Sequence, residues 1–130
     1  DQWQVRVVPN KFPAVELKPS AARESHALCE SSEAAGAHEV IIETPSHVVS
    51  LTELSDLQVE LTFAAYQDRL LHWRATGRLA YGIVFKNVRA EGGASLKHSH
   101  SQLVATSLIP RDAARGLEFD AQALAFGRGL

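Results

Sequence analysis

The sequence is poor in the features that mark several common classes of protein. It has one cysteine, Cys29, in 130 residues, so it contains neither an internal disulfide nor a Cys-x-x-Cys zinc pair. No apolar run reaches the roughly 18 to 20 residues that a membrane span needs, and the first residues do not have the basic start and apolar stretch of a signal peptide. These absences predict a cytoplasmic protein without a membrane partner.

A large excess of charge is absent as well. The formal net charge is −2 at pH 7, which argues against a broad basic surface and therefore against a nucleic-acid partner. A phosphate-bearing ligand would have to be held by a few local residues. With 45% hydrophobic residues, the chain suffices for one domain over residues 1–130. Because it starts without methionine and ends abruptly, we expect a fragment of a longer protein.

Hydrophobic periodicity predicts an α+β fold with an antiparallel sheet of about five strands. Strand-like runs of alternating or β-branched residues occupy residues 3–8, 15–17, 38–43, 81–86 and 101–106. The last two runs should pair as a hairpin, and a polar loop rich in Ser, Ala and Glu is expected over about 19–36.

One long helix is predicted from Asp56 to about Ala75. Ser55 and Gln58 have the spacing of a capping box at its start. Apolar side chains recur at four-three-four-three spacing, which indicates a stripe that packs on the sheet: Val59, Phe63, Tyr66, Leu70 and Trp73. A less regular helix, broken at Gly116, is expected over 111–130.

The residues best suited to chemistry lie near the last strand. If this segment is extended, His98, His100 and Gln102 point to one side, because strand side chains alternate. A histidine can be an unprotonated nucleophile that attacks phosphorus, and a glutamine amide can donate to a phosphate oxygen. The preceding loop contains the glycine pair Gly92-Gly93, whose backbone N–H groups can approach phosphate. It also supplies polar side chains that can donate to phosphate: Lys86, Asn87, Ser95 and Lys97.

The same histidines permit other interpretations. Two histidines at i and i+2 form half of a metal site, whose other ligands would have to come from His26, Cys29, His38 and His47. Alternatively, they are exposed side chains on a glycine-containing loop. The residue types alone leave these possibilities open beside the nucleophile.

A second candidate site follows the first strand. Asn10 and Lys11 offer hydrogen-bond donors beside the ring of Phe12, a combination suited to a nucleoside. The alternative is a turn with Phe12 buried.

The motif His98-Ser99-His100-Ser101-Gln102, after Asn87 and Gly93-Ala94-Ser95, resembles the active-site motif of the galactose-1-phosphate uridylyltransferase family. This family is a branch of the histidine-triad superfamily. Segments 7–14 and 38–47 and the pair Ile109-Pro110 resemble it in the same order, so the resemblance covers most of residues 3–110. It implies a histidine-triad-like sheet with the helix on one face, the nucleotide on the other, and a possible homodimer.

The resemblance also implies residue roles. His100 would form a covalent nucleotidyl-histidine, and Gln102 would bind the α-phosphate. Substrate contacts would come from Asn87, Gly93 and Ser95 for phosphate and from Asn10, Lys11 and Phe12 for the nucleoside. His47 and His98 match two zinc ligands of several members, in which a Cys-x-x-Cys pair absent from this sequence completes the site. Arg89 stands where members often have glycine.

The implied function is a nucleotidyltransferase of galactose and nucleotide-sugar metabolism, UDP-glucose:hexose-1-phosphate uridylyltransferase, with a nucleotide sugar and a sugar 1-phosphate as partners. Gln102 favours transfer, because hydrolytic members usually have a third histidine there. One alternative is a phosphorylase of ADP-glucose or a dinucleoside polyphosphate. An alternative of another class is a nucleotide-binding module that is inactive without the missing half.

Overall fold

A computed structural model describes residues 3–18, 34–94 and 96–116. These residues form an α+β fold in which one long helix packs on a four-stranded antiparallel sheet. The elements are β1 (Arg6–Pro9), β2 (Gly36–Ile42), α1 (Asp56–Ala75), β3 (Tyr81–Phe85) and β4 (His100–Thr106). The strand order is β1-β2-β4-β3. The predicted fold class, the bounds of the long helix and the pairing of β3 with β4 are confirmed.

The described sheet has four strands rather than about five. The run at 15–17 contributes only a single bridge, between Glu16 and Ala35. Strand β2 begins at Gly36, so the predicted polar loop is wrong at its last residue. A side-chain carbon at Gly36 would lie 2.3 Å from the carbonyl oxygen of Ala105, which explains why this position needs glycine. Residues 19–33 lie outside the described part of the chain.

Strand β4 lies between β2 and β3 and has two different faces. Val40 of β2 and Phe85 of β3 both pair with Gln102. Because side chains alternate, Gln102 and His100 project from one face and Leu103 from the other. Helix α1 packs on the Leu103 side, which we call the helix face. We call the side that carries His100 the open face.

The core lies between the helix face and α1. Its fully buried apolar residues are Ile41, Leu103 and Ala105, and Tyr66, Leu70 and Trp73 pack against them. The predicted stripe is wrong at Phe63, which is 57% exposed. Thr62 is fully buried instead, because the first turns of α1 meet a polar part of the sheet around Glu43.

The start of α1 is tied to the sheet by the residue that was expected to complete its capping box. Ser55 Oγ accepts the backbone N–H of Gln58, as predicted. The Gln58 side-chain amide does not return to Ser55; it donates to the carbonyl oxygens of Gln4 and Glu43 at 2.9 and 2.7 Å. The sequence therefore predicted the N-cap but not this link between the helix and β2.

Residues 111–116 are helical, and the rest of the predicted C-terminal helix lies outside the described residues. None of the helices within the described ranges combines the length and apolar composition that crossing a bilayer requires.

Candidate active site

His100 is the first residue of β4, and its side chain is 6% exposed. Its Nδ1 lies 2.7 Å from the carbonyl oxygen of His98. A carbonyl oxygen only accepts hydrogen bonds, so Nδ1 must carry the ring proton. In the neutral ring the lone pair is then on Nε2, and no described residue hydrogen-bonds to that atom. The backbone thus selects the tautomer that a nucleophilic histidine needs.

Two cavities meet at His100. One, of about 350 Å³, is lined by Asn10, Lys11, Phe12, Val40 and Gln102, and we call it the aromatic cavity. The other, of about 420 Å³, is lined by Lys86, Asn87, Arg89, Lys97 and His98, and we call it the cationic cavity. His100 and Leu96 line both. A ligand with an apolar part and an anionic part could therefore occupy both cavities across the imidazole.

The aromatic cavity brings together three of the predicted substrate-binding residues. Phe12 is 79% exposed, so the alternative of a buried Phe12 is wrong. Lys11 Nζ lies 5.4 Å from the centre of its ring, within cation–π distance. Asn10 Oδ1 accepts the backbone N–H of Phe12 at 2.9 Å, and this short turn holds the ring at the edge of the cavity.

In the loop beside the cationic cavity, residues 89–94, backbone N–H groups donate to carbonyl oxygens of the same loop. The N–H groups of Gly92 and Ala94 donate to the carbonyl oxygen of Arg89, and that of Gly93 donates to Ala90. The expected cradle of free glycine amides is therefore wrong for this pair. Positive φ is confirmed for Gly93, at 82°, but does not occur at Gly92. Ser95 lies outside the described residues.

Arg89 adopts a backbone conformation that belongs to glycine. Its φ and ψ are 61° and 169°, a region in which a Cβ atom is strained. Within the described ranges it is the one non-glycine residue with positive φ. Glycine, which the resemblance leads us to expect at this place, would adopt this conformation without strain. The conformation lets the Arg89 carbonyl close the loop through Gly92 and Ala94.

A polar network is buried directly behind His100, on the helix face. Glu43 is fully buried and accepts four hydrogen bonds, from Ser99 at 2.5 Å, Lys86 at 2.7 Å, Tyr66 at 3.0 Å and Ser101. Burial alone would raise the pKa of Glu43, but the bonds from Lys86, Ser101 and Ser99 together bring it below its usual value. Burial raises the pKa of the Tyr66 phenol, which therefore remains a donor.

Lys86 connects this network to the backbone of His100. Its ammonium group donates to Glu43, to Ser99 Oγ at 3.0 Å and to the carbonyl oxygen of His100 at 2.9 Å. An ammonium group has three donors, so all are used and none remains for a phosphate. The sequence groups Lys86 with the phosphate donors and gives no role to Glu43. The alternation of side chains along β2 could have identified it, because Glu43 is two residues after buried Ile41 and therefore points to the same face.

His98 and His47 form a pair at the side of the site. His98 Nε2 lies 2.7 Å from the carbonyl oxygen of Thr44, and the two imidazole centres are 5.0 Å apart. The backbone N–H of Ser99 donates to Val48, which holds the segment after β2 against the start of β4. The described ranges contain no cluster of three or more His, Cys, Asp or Glu residues arranged for a metal. His26 and Cys29 lie outside those ranges.

The hydrogen bonding of His98, beside His47, suits part of a metal site. The Thr44 carbonyl fixes the proton of His98 on Nε2 and so leaves a lone pair on Nδ1. Histidines that bind metals commonly donate their other N–H to a carbonyl in this way. His98 therefore has the hydrogen bonding of a metal ligand, and the ring of His47 lies beside it, whereas a tetrahedral zinc needs four ligands.

Residues 3–110 match the sequence profile of the family described as galactose-1-phosphate uridyl transferase, N-terminal domain. The chain belongs to this family. The galactose-1-phosphate uridylyltransferase of Haemophilus influenzae is 33% identical to it over 110 residues, and the ADP-glucose phosphorylase of Arabidopsis thaliana is 31% identical over 110 residues. These alignments include 84% and 83% of the chain but only 31% of each relative.

Solved structures share the fold. A uridylyltransferase structure aligns with 98% of the chain and 40% of its own length, with a TM-score of 0.81 and 29% identity. A structure of the A. thaliana ADP-glucose phosphorylase with bound ADP-glucose aligns with 84% of the chain and 33% of its own length, with a TM-score of 0.69 and 30% identity. The chain thus spans well under half the length of these relatives.

Proposed function

We propose that the protein is a nucleotidyltransferase that forms a covalent nucleotidyl-histidine on His100. The observation that carries this proposal is the contact of His100 Nδ1 with the His98 carbonyl oxygen, which directs the lone pair of the neutral ring to Nε2, at a residue that lines both cavities. A nucleotide sugar would place its nucleoside in the aromatic cavity and its sugar phosphate in the cationic cavity. Its α-phosphorus would then lie between them, beside the nucleophile.

The reaction has two displacement steps. In the first, the Nε2 lone pair bonds to the α-phosphorus while the bond from phosphorus to the bridging oxygen breaks, and sugar 1-phosphate leaves with the electron pair. In the second, a phosphate oxygen of another sugar 1-phosphate bonds to the α-phosphorus and the phosphorus–nitrogen bond breaks. The His98 carbonyl holds the Nδ1 proton of His100 in both steps, so the ring returns to its initial state.

The remaining predicted residues take roles around this centre. Gln102 donates its amide to the α-phosphate, and Asn87 donates to a phosphate oxygen in the cationic cavity. Ser95 is proposed as a further phosphate donor. Gly93 acts through the turn that it permits, since its own N–H is bonded to the carbonyl oxygen of Ala90. Asn10, Lys11 and Phe12 hold the nucleoside, with the exposed ring of Phe12 available for stacking.

We propose UDP-glucose and galactose 1-phosphate as the substrates. The second candidate is a phosphorylase reaction, in which inorganic phosphate attacks the nucleotidyl-histidine formed from ADP-glucose or a dinucleoside polyphosphate. This candidate is supported by the similarity to an ADP-glucose phosphorylase. Both candidates require the same first displacement and differ in the base and in the acceptor.

We also propose that His47 and His98 are two of the four ligands of a structural zinc ion. His98 would bind through Nδ1, with its Nε2–H held by Thr44. When bound, zinc would cross-link the segment after β2 to the start of β4 and take no part in nucleotidyl transfer.

The test is to incubate the full-length protein with UDP-glucose or ADP-glucose labelled in the α-phosphate. We expect acid-labile label on the protein, release of glucose 1-phosphate in equal amount, and no label on His100→Ala. His72→Ala is the matched control, because this histidine is exposed on α1 and remote from the site; it should label normally. Normal labelling of His100→Ala would contradict the proposal, and nucleotide binding without label would favour a binding module.

A further inference from the structure

His38 is a histidine beside the reaction centre that the proposed chemistry does not use. It lies on the open face of β2, where it pairs with Val104, two residues along β4 from Gln102. Diagonal neighbours on one face of a sheet are within reach of long side chains. His38 Nε2 is 2.9 Å from Gln102 Oε1, and His38 Nδ1 is 3.0 Å from the backbone nitrogen of Ala14.

The backbone of Ala14 decides which nitrogen of His38 carries the proton. Its N–H can only donate, so Nδ1 of His38 must accept. The neutral ring therefore has its proton on Nε2, which donates to Gln102 Oε1. Asn10 Nδ2 lies 3.1 Å from the same nitrogen but also 3.3 Å from Gln102 Oε1, so the glutamine oxygen is the acceptor for Asn10 as well.

Two donors thus converge on one atom of Gln102. If the amide were rotated by 180°, its NH₂ group would face the N–H of His38 and the NH₂ of Asn10, and both contacts would become donor against donor. The observed orientation leaves the Gln102 NH₂ group available to the aromatic cavity, which Gln102 shares with His100.

We propose that His38 is a positioning residue, which fixes the side-chain amide of Gln102 so that its NH₂ group donates to the phosphate transferred by His100. The role of His38 in catalysis rests on the proposed nucleotidyl transfer, whereas the orientation of the Gln102 amide rests on hydrogen bonding alone. His38 also anchors the turn at Ala14. The two contacts use different ring nitrogens, so substitution can separate them.

Two conservative variants provide the test on the full-length protein. His38→Gln places a donor near the position of Nε2 and keeps the bond to Gln102, whereas His38→Asn places an acceptor near Nδ1 and keeps only the bond to Ala14. We expect His38→Gln to retain kcat within about fivefold, the effect of one hydrogen bond. His38→Asn should lose about 10²-fold in kcat with a smaller change in KM, because a phosphate donor is misplaced in the transition state.

A double-mutant cycle checks that His38 acts through Gln102. In a Gln102→Ala background, His38→Asn should lower the rate no further, since there is no amide left to orient. Equal losses in the Gln and Asn variants, an unchanged rate in His38→Asn, or additive losses in the cycle would overturn the proposal.

A measurement without substrate separates this inference from the proposed function. In protein labelled with ¹⁵N-histidine, the NMR signals of the His38 ring, assigned by their loss in His38→Gln, should show a protonated Nε2 and a bare Nδ1. The opposite tautomer overturns the positioning role even in an active enzyme. A wild-type protein that transfers no nucleotide but shows this tautomer overturns the proposed reaction and supports the orientation of Gln102.

Discussion

The two faces of β4 differ in what their polar groups bind. On the helix face, the carboxylate of Glu43 accepts four hydrogen bonds, about one for each of its lone pairs, from Ser99, Ser101, Lys86 and Tyr66. On the open face, one nitrogen of His100 is bonded to the backbone, while no described residue bonds to the other. The carboxylate on the helix face is occupied by internal donors, whereas the open face keeps Nε2 of His100 and the NH₂ group of Gln102 for a ligand.

Strand β4 thus carries both a buried polar network and the groups proposed for catalysis. Lys86 joins the two faces, because it neutralises Glu43 behind the sheet and also holds the carbonyl oxygen of His100. We therefore expect changes on the helix face to appear mainly as unfolding and changes on the open face mainly as lost activity. Labelling of His100 and substitution of His38 probe the open face, whereas the stability of Lys86, Glu43 and Arg89 variants probes the helix face and the loop.

The largest effect on stability is expected from Lys86→Met. Its ion pair with Glu43 has side-chain exposures of 16% and 0%, so the substitution leaves a buried carboxylate without its cation. Breaking a buried pair in this way costs about 3–5 kcal/mol in the free energy of unfolding, which urea denaturation measures. Lys97→Met is the matched control, since Lys97 is exposed, and should change stability by about 0.5 kcal/mol or less. Equal losses would contradict the contrast between the faces.

A smaller effect should appear when the pH is lowered. The pKa of Glu43 is below its usual value of about 4.5 in the folded protein, where bonds from Lys86, Ser101 and Ser99 outweigh the effect of burial. Its contribution to stability is therefore present above that usual value and is lost as the pH falls through the folded-state pKa.

Denaturation of the wild type and of Glu43→Gln at pH 7 and pH 3 measures this contribution. The wild type should lose more stability between the two pH values, because carboxylates elsewhere contribute equally to both proteins. Identical losses would show that Glu43 is not the group responsible.

The smallest effect is expected at Arg89. Because its backbone is in a region that glycine occupies without strain, Arg89→Gly should raise the free energy of unfolding by about 1 kcal/mol, despite the greater entropy of an unfolded glycine. Arg78→Gly should lower it slightly, since Arg78 is also exposed but does not have positive φ. A decrease at both positions would be inconsistent with strain at Arg89.

Local patterns in the sequence accounted for much of the fold. The period of the apolar residues and the N-cap at Ser55 predicted α1 with its observed bounds, and β-branched runs predicted the four strands to within a few residues. The apolar stripe predicted for α1 was wrong at Phe63, because this turn of the helix lies against a polar part of the sheet. The sequence of the helix alone does not reveal which part of the sheet it faces. Positive φ was predicted for both glycines of the Gly92-Gly93 pair but occurs only at Gly93, and Arg89 adopts it in place of Gly92.

The sequence by itself determined that His100 and Gln102 share a face, since side-chain alternation is a property of any extended chain. The proton of His100 is also held locally, by the carbonyl oxygen of His98 two residues earlier. Tertiary structure alone decided the tautomers of His38 and His98, the orientation of the Gln102 amide and the partners of Glu43. Those choices depend on donors and acceptors distant along the chain, such as His38 for Gln102, 64 residues apart, and Glu43 for Ser99, 56 residues apart. A hydrogen bond requires contact at about 3 Å, and only the folded sheet provides it.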